Sequence, residues 1–236
     1  MANDKVNDIG GDKLKGEWYR TPELAAAIAN EDQTVMGMQS VHNDLRTGYE
    51  KIVKALRTEN PTATADGHFL DIMKKSDRWI NECARRSEMA SNGAKAELDK
   101  LDREMSDTLG IEETSRANEI RAYFERLKSR NERIAAARAA IEGFDKETMG
   151  AILSAPAYLS GLSNEDVDML RKLYAQRHAP KALARKAAIE RAIAVNADAF
   201  NEALIALGAL FPKDRVASIN ARIAAAQAAK DDILAM

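Results

Sequence analysis

The chain has 236 residues, 45% hydrophobic and 31% charged, with aromatic residues at 5% and a formal net charge of -2. Lys plus Arg (35) nearly balance Asp plus Glu (37) and are interspersed, which argues against a dedicated nucleic-acid binder with its basic stripe or basic domain. The single cysteine, Cys83, excludes an intrachain disulfide and a Cys-rich zinc site.

Residues 1–20 are polar, with Gly10 and Gly11 adjacent, and read as a flexible, extended arm anchored by Trp18 and Tyr19. "TPEL" then predicts a helix start: Thr21 as N-cap, Pro22 at the first helical position, Glu23 on the helix dipole. That alanine-rich helix is expected to end near Asn30. A second helix runs to Arg57, with Met38, Val41, Leu45, Ile52 and Leu56 on one face and Gly48 as an interruption. "TENPTATADG" (58–67) reads as a loop.

Phe69 to Leu109 is helical by the same criterion, with "SNGA" (91–94) as a bend or split and Gly110 as the residue after the C-cap. From Glu113 to Glu142, Ala117, Ile120, Phe124, Leu127, Asn131, Ile134, Arg138 and Ile141 step by three and four. This predicts one continuous helix carrying a heptad seam for self-association, with Asn131 as its polar, register-setting member. "APAYLSGLS" is expected to be a packing corner that buries Tyr158, Leu159 and Leu162 against flanking helices or a neighbouring subunit. Ser163 caps the following helix, with Asp166 at its third position as in a capping box. An alanine-rich helix spans 181–210, and Pro212 opens a last one through Val216, Ile219, Ile223, Ile233 and Leu234. No stretch alternates with period two, so the expected fold is all-α: an elongated helical bundle with coiled-coil-like helices and no sheet. The expected division is an arm at 1–20, a long-helix region at 21–143 and a C-terminal helical region at 144–236.

His42, His68 and His178 lack the spacing that puts two ligands on one helical face, and read as surface or capping residues rather than metal ligands. The acids of "SNEDVD" (163–168) read as first-turn helix acids, not a calcium loop. Cys83 falls on an apolar face beside Ile80 and reads as a buried thiol. No phosphate-binding loop, Gly-x-Gly-x-x-Gly or Gly-x-Ser-x-Gly occurs, and no catalytic residue or cofactor is expected. Arg171, Lys172, Arg177, Lys181 and Arg185, with Lys186 and Arg191, form the densest basic set. Their ordinary role is to complement a helix dipole on an exposed face; the sharper alternative is contact with an acidic partner or nucleic acid. The longest apolar run, "ALIALGALF" (203–211), falls short of the roughly 20 residues that span a bilayer; its ordinary role is helix–helix burial, and the sharper alternative is a membrane-inserting amphipathic segment. With no signal-peptide core at the N-terminus, the chain reads as soluble, without a transmembrane segment.

The segment "AILSAPAYLSGLSNEDVDMLRKLYAQRHAP" (151–180) resembles one found in small, alanine-rich helical proteins of tailed bacteriophages and prophages, through "APAYLSGLS", the acidic helix start and "RHAP". The resemblance covers a small part of the chain and carries no catalytic motif. It implies a structural or assembly role in a phage particle, of internal/ejection or scaffolding type, with the protein in the host cytoplasm during assembly and then in the virion. The expected partners are copies of itself and other virion proteins. The rival from another class is a binding module contacting nucleic acid through the 171–191 face.

Overall fold

The computed structural model describes residues 17–234, and the predicted arm at 1–16 lies outside them. The described residues are helical and contain no strand, so the all-α expectation holds. In chain order the helices are α1 (Glu17–Arg20), α2 (Pro22–Ala29), α3 (Gln33–Arg57), α4 (Ala65–Leu109), α5 (Ala117–Arg126), α6 (Arg130–Glu142) and α7 (Lys146–Leu153). A 3₁₀ turn (Ala157–Ser160) follows, then α8 (Asn164–His178), α9 (Pro180–Leu210) and α10 (Lys213–Leu234). The end of the predicted arm is thus helical, and Trp18 is buried edge-on against His42, ring centroids 5.9 Å apart.

The described residues form two compact units: 17–94 with 191–234, and 95–190. The expected boundary at 143/144 falls inside the second unit. The boundary at 94/95 falls inside α4, which is continuous through 91–94.

In the first unit, Leu45, Tyr49 and Ile52 of α3 pack with Ile72, Ile80 and Cys83 of α4 and with Ala199, Ala203 and Leu207 of α9. Asp32 starts α3: its carboxylate accepts from the Thr34 and Val35 amides at 3.0 and 3.1 Å. Gly48 does not interrupt this helix. A Cβ there would lie 2.3 Å from the Trp79 indole, so the glycine is where α4's largest side chain meets α3. Alanine plays the same part along α9, where Ala192, Ala199, Ala203 and Ala206 are buried with almost no side-chain bulk. Asn196, in the same row, donates from Nδ2 to the Met38 carbonyl at 2.9 Å.

In the second unit, Leu109, Phe124, Ile141, Met149, Ile152, Leu162, Leu170 and Tyr174 form one core. The continuous helix expected over 113–142 is two helices, broken at 127–129. The break has a local cause. The Ser129 hydroxyl accepts from the Glu132 amide, and the Glu132 carboxylate accepts from the Lys128 amide, both at 3.2 Å. This Ser-x-x-Glu cap gives the chain a fresh start in mid-seam, and Leu127 turns extended (ψ 133) ahead of it.

Candidate functional site

The break redistributes the predicted seam. Phe124 and Ile141 enter the core of the second unit, Ala117 is buried, and Ile120, Leu127 and Ile134 pack against that core from partly buried positions. Asn131 stands exposed in the first turn of α6. The apolar members of the row therefore line the unit's own interior, with Asn131 outside it.

The corner at 154–163 also differs from expectation. A 3₁₀ turn has three residues per turn, so Ala157 and Ser160 share the inner side and are buried. Tyr158 and Leu159 are turned outward, 73% and 41% exposed, while Leu162 is buried as predicted. Gly161 follows in a left-handed conformation (φ 64). Ser163 and Asp166 form the predicted capping box. Asp166 does more than cap. Its buried carboxylate accepts from Arg130 Nε, 3.0 Å to each oxygen, and this contact holds its pKa at about 2. Burial opposes that shift, and the Ser163 amide and hydroxyl add to it.

Around this corner, side-chain donors are used on helix ends. Arg133 donates from Nε to the Phe124 carbonyl at 3.0 Å, from Nη1 to Gly161 at 3.0 Å, and from Nη2 to Leu127 at 2.9 Å and Glu125 at 3.2 Å. Arg121, buried, reaches the Ala151 carbonyl at 3.2 Å, and Arg171 reaches Leu153 at 2.7 Å. His178 bonds to the Ile141 carbonyl at 2.6 Å, stacked on Phe144, and Tyr174 donates to Leu109 at 2.9 Å. The last carbonyls of α4, α5, α6 and α7 lack intrahelical partners, and these donors supply them.

The basic set is largely occupied in the same way. Besides Arg171, Arg177 pairs with Glu142 at 3.0 Å, Arg185 with Glu97 at 2.7 Å and Lys186 with Asp102 at 2.5 Å. Lys172 and Lys181 are exposed. Two of the histidines do cap: His178 as described, and His68, bonded to the Ala55 carbonyl at 3.0 Å near the end of α3. His42 departs from expectation and is buried. Cys83 is buried, and burial followed by the nearby Asp44 charge pushes its thiol pKa upward, away from reactivity. No group of three His, Cys, Asp or Glu side chains that could hold a metal occurs among the described residues.

On α10, in the first unit, an apolar stripe runs beyond the residues that pack on the unit. Val216, Ile219, Ile223, Ala226 and Lys230 step by three and four along it. Ile219 is buried against the unit, yet every residue from Asn220 to Asp232 is exposed, Ile223 by 53%. The stripe that anchors the helix base thus continues uncovered toward its tip. Beside the base runs a groove of about 460 Å³, lined by Met73, Ile80, Leu204, Phe211 and Val216, with Asp77 and Lys213 as its charges. Ile205 of α9 is 74% exposed.

Helix α9 shares its length and apolar composition with both a membrane span and the core helix of a globular unit. It is long and apolar enough to cross a bilayer by length and composition, with an 18-residue window of mean hydropathy 1.3. Alanine extends that window well beyond the "ALIALGALF" run. A third of the window (33%) is buried, and its inward residues Ala199, Ala203 and Leu207 belong to the core described above.

No protein-family model, curated protein or solved structure matches the chain.

Proposed function

We propose that the protein is a non-enzymatic structural or assembly component that works by helix–helix self-association, in a phage particle of the kind implied by the 151–180 segment. The observation that carries this reading is the exposed apolar stripe of α10 beyond Ile219, where Ile223 is 53% exposed. An isolated short helix is marginal in water, and most helical stability comes from a packed face. A second helix laid on this face supplies that packing.

The occupant is the same helix of a second copy, running antiparallel. Charge favours it: the groove at the base offers Asp77 and Lys213, and the tip carries Lys230, Asp231 and Asp232. Antiparallel pairing sets the tip of each copy beside the base of the other, Lys230 toward Asp77 and the two aspartates toward Lys213. Base residues 213–220 beside tip residues 226–233 place Ile223 at the centre, next to its own symmetry mate. Such an isologous contact closes on itself as a dimer. The basic 171–191 face gives less support to the nucleic-acid alternative, because Arg171, Arg177, Arg185 and Lys186 are already paired within the chain.

Light scattering on the purified protein tests the reading. The parent is expected at twice the chain mass, and Ile223→Asp at the chain mass with an unchanged circular dichroism spectrum over the rest of the fold. A monomeric parent at millimolar concentration, or a dimer indifferent to Ile223→Asp, overturns it.

A further inference from the structure

On the other side of the α10 base, away from the self-association groove, the first unit has a cleft of about 830 Å³ between the 58–64 loop and the start of α10. That size falls within the range of small-molecule sites. Val53, Leu56, Phe69 and Leu210 give it an apolar floor. Its lining also includes Arg57, Glu59, His68 and Arg215. The Arg215 guanidinium lies over the Phe69 ring, 4.0 Å from its centroid. This contact holds the guanidinium carbon over the Phe69 ring, beside the apolar lining of the cleft. No carboxylate pairs with Arg215 among the described residues, in contrast to Arg177, Arg185 and Arg222, each of which has one.

An apolar floor with a positioned arginine beside it selects a ligand of matching polarity: an apolar chain ending in one anionic head. We propose that this cleft binds a medium-chain fatty acid, its alkyl chain along Val53, Leu56 and Leu210 and its carboxylate on the Arg215 guanidinium. A bidentate carboxylate–arginine contact gives orientation as well as affinity. The lining of this cleft includes none of Lys213, Val216 and Ile223, the residues that the α10 pairing uses.

Calorimetric titration with decanoate below its micelle concentration tests this. The expected dissociation constant is below about 1 mM, as for a small ligand with one charged anchor. Arg215→Gln weakens decanoate by about tenfold, the size of one lost charge-assisted contact, and leaves 1-decanol unchanged. Arg215→Lys recovers part of the loss. Ala209→Phe, which fills the cleft wall, removes binding of both. Circular dichroism of each variant, matching the parent, certifies the fold. Absence of decanoate binding, equal loss of decanoate and decanol in Arg215→Gln, or binding untouched by Ala209→Phe overturns the proposal. So does binding to phosphatidylglycerol vesicles without binding to free decanoate, which would make the contact one with a lipid surface.

Discussion

Replacing Arg133 by methionine removes four hydrogen bonds while keeping the apolar stem. Three of the acceptors are carbonyls at or beyond the end of α5 (Phe124, Glu125, Leu127), and the fourth is Gly161 at the corner. One side chain therefore ties the α5 end to the turn that precedes α8. A hydrogen bond from a charged donor is worth about 1.5–3 kcal/mol, but these four are not additive and water reaches the half-exposed carbonyls. The expected loss is about 2–3 kcal/mol, which in a chain of this size lowers the melting temperature by roughly 5–10 °C. Thermal melts followed by circular dichroism, with urea titration beside them, measure it. Arg126→Met is the control: Arg126 sits in the last turn of the same helix and is exposed, so its loss should stay within about 0.5 kcal/mol. If Arg133→Met melts with the parent, or no lower than Arg126→Met, the helix-end account of the corner is wrong.

Other expectations follow from the same contacts. Leu162→Ala should cost about 2–5 kcal/mol and Ser163→Ala about 1 kcal/mol, so urea midpoints should rank them in that order; the reverse order would contradict the burial of Leu162. Gly150→Ala should destabilise more than Gly48→Ala, because the added Cβ meets the Gly110 carbonyl oxygen at 2.6 Å in the first case and a half-buried Trp79 ring, which can shift, in the second. Equal melting of the two variants would refute that distinction. Asp166 has a folded pKa of about 2 against an ordinary 3.8, so its stabilisation is present above pH 4 and is lost as pH falls through about 2. That shift corresponds to on the order of 2 kcal/mol, reduced to about 1 kcal/mol because the Arg130 partner is 64% exposed and screened. Between pH 5 and pH 2 the parent should lose more stability than Asp166→Asn; parallel pH profiles would contradict it.

Much of the helix plan was legible in the residues. Pro22 at the start of α2, Gly110 after α4 and the Ser163–Asp166 box all stand where local rules put them. Where the reading of α5 and α6 failed, the signal was present: Ser129 and Glu132 form a Ser-x-x-Glu cap, but the three-four spacing of Ile120, Phe124, Leu127 and Ile134 ran through it and took precedence. Periodicity records which side of a helix is apolar, not whether the helix is continuous. The outward turn of Tyr158 and Leu159 follows from a three-residue period in a segment too short to display one. Gly48 is ambiguous in the sequence because a helical glycine looks the same whether it weakens a helix or admits a tryptophan from elsewhere. The candidate surfaces were the least legible. The α10 groove joins Met73 and Asp77 to Leu204 and Lys213, and the cleft joins Phe69 to Arg215, pairs more than 120 residues apart whose proximity no local pattern encodes.

Self-association through α10 makes a demand on one atom pair. In the antiparallel pairing, Ile223 lies beside Ile223 of the second copy, so Ile223→Cys should place two thiols within disulfide reach, with Cys83 buried and inert. Mild oxidation at low protein concentration, read on a non-reducing denaturing gel, should convert Ile223→Cys to a covalent dimer while the parent and two variants two residues away on the opposite face, Ala221→Cys and Ala225→Cys, run at the chain mass. A chain that stays monomeric at Ile223→Cys, or cross-links equally from Ala221 and Ala225, would contradict the account.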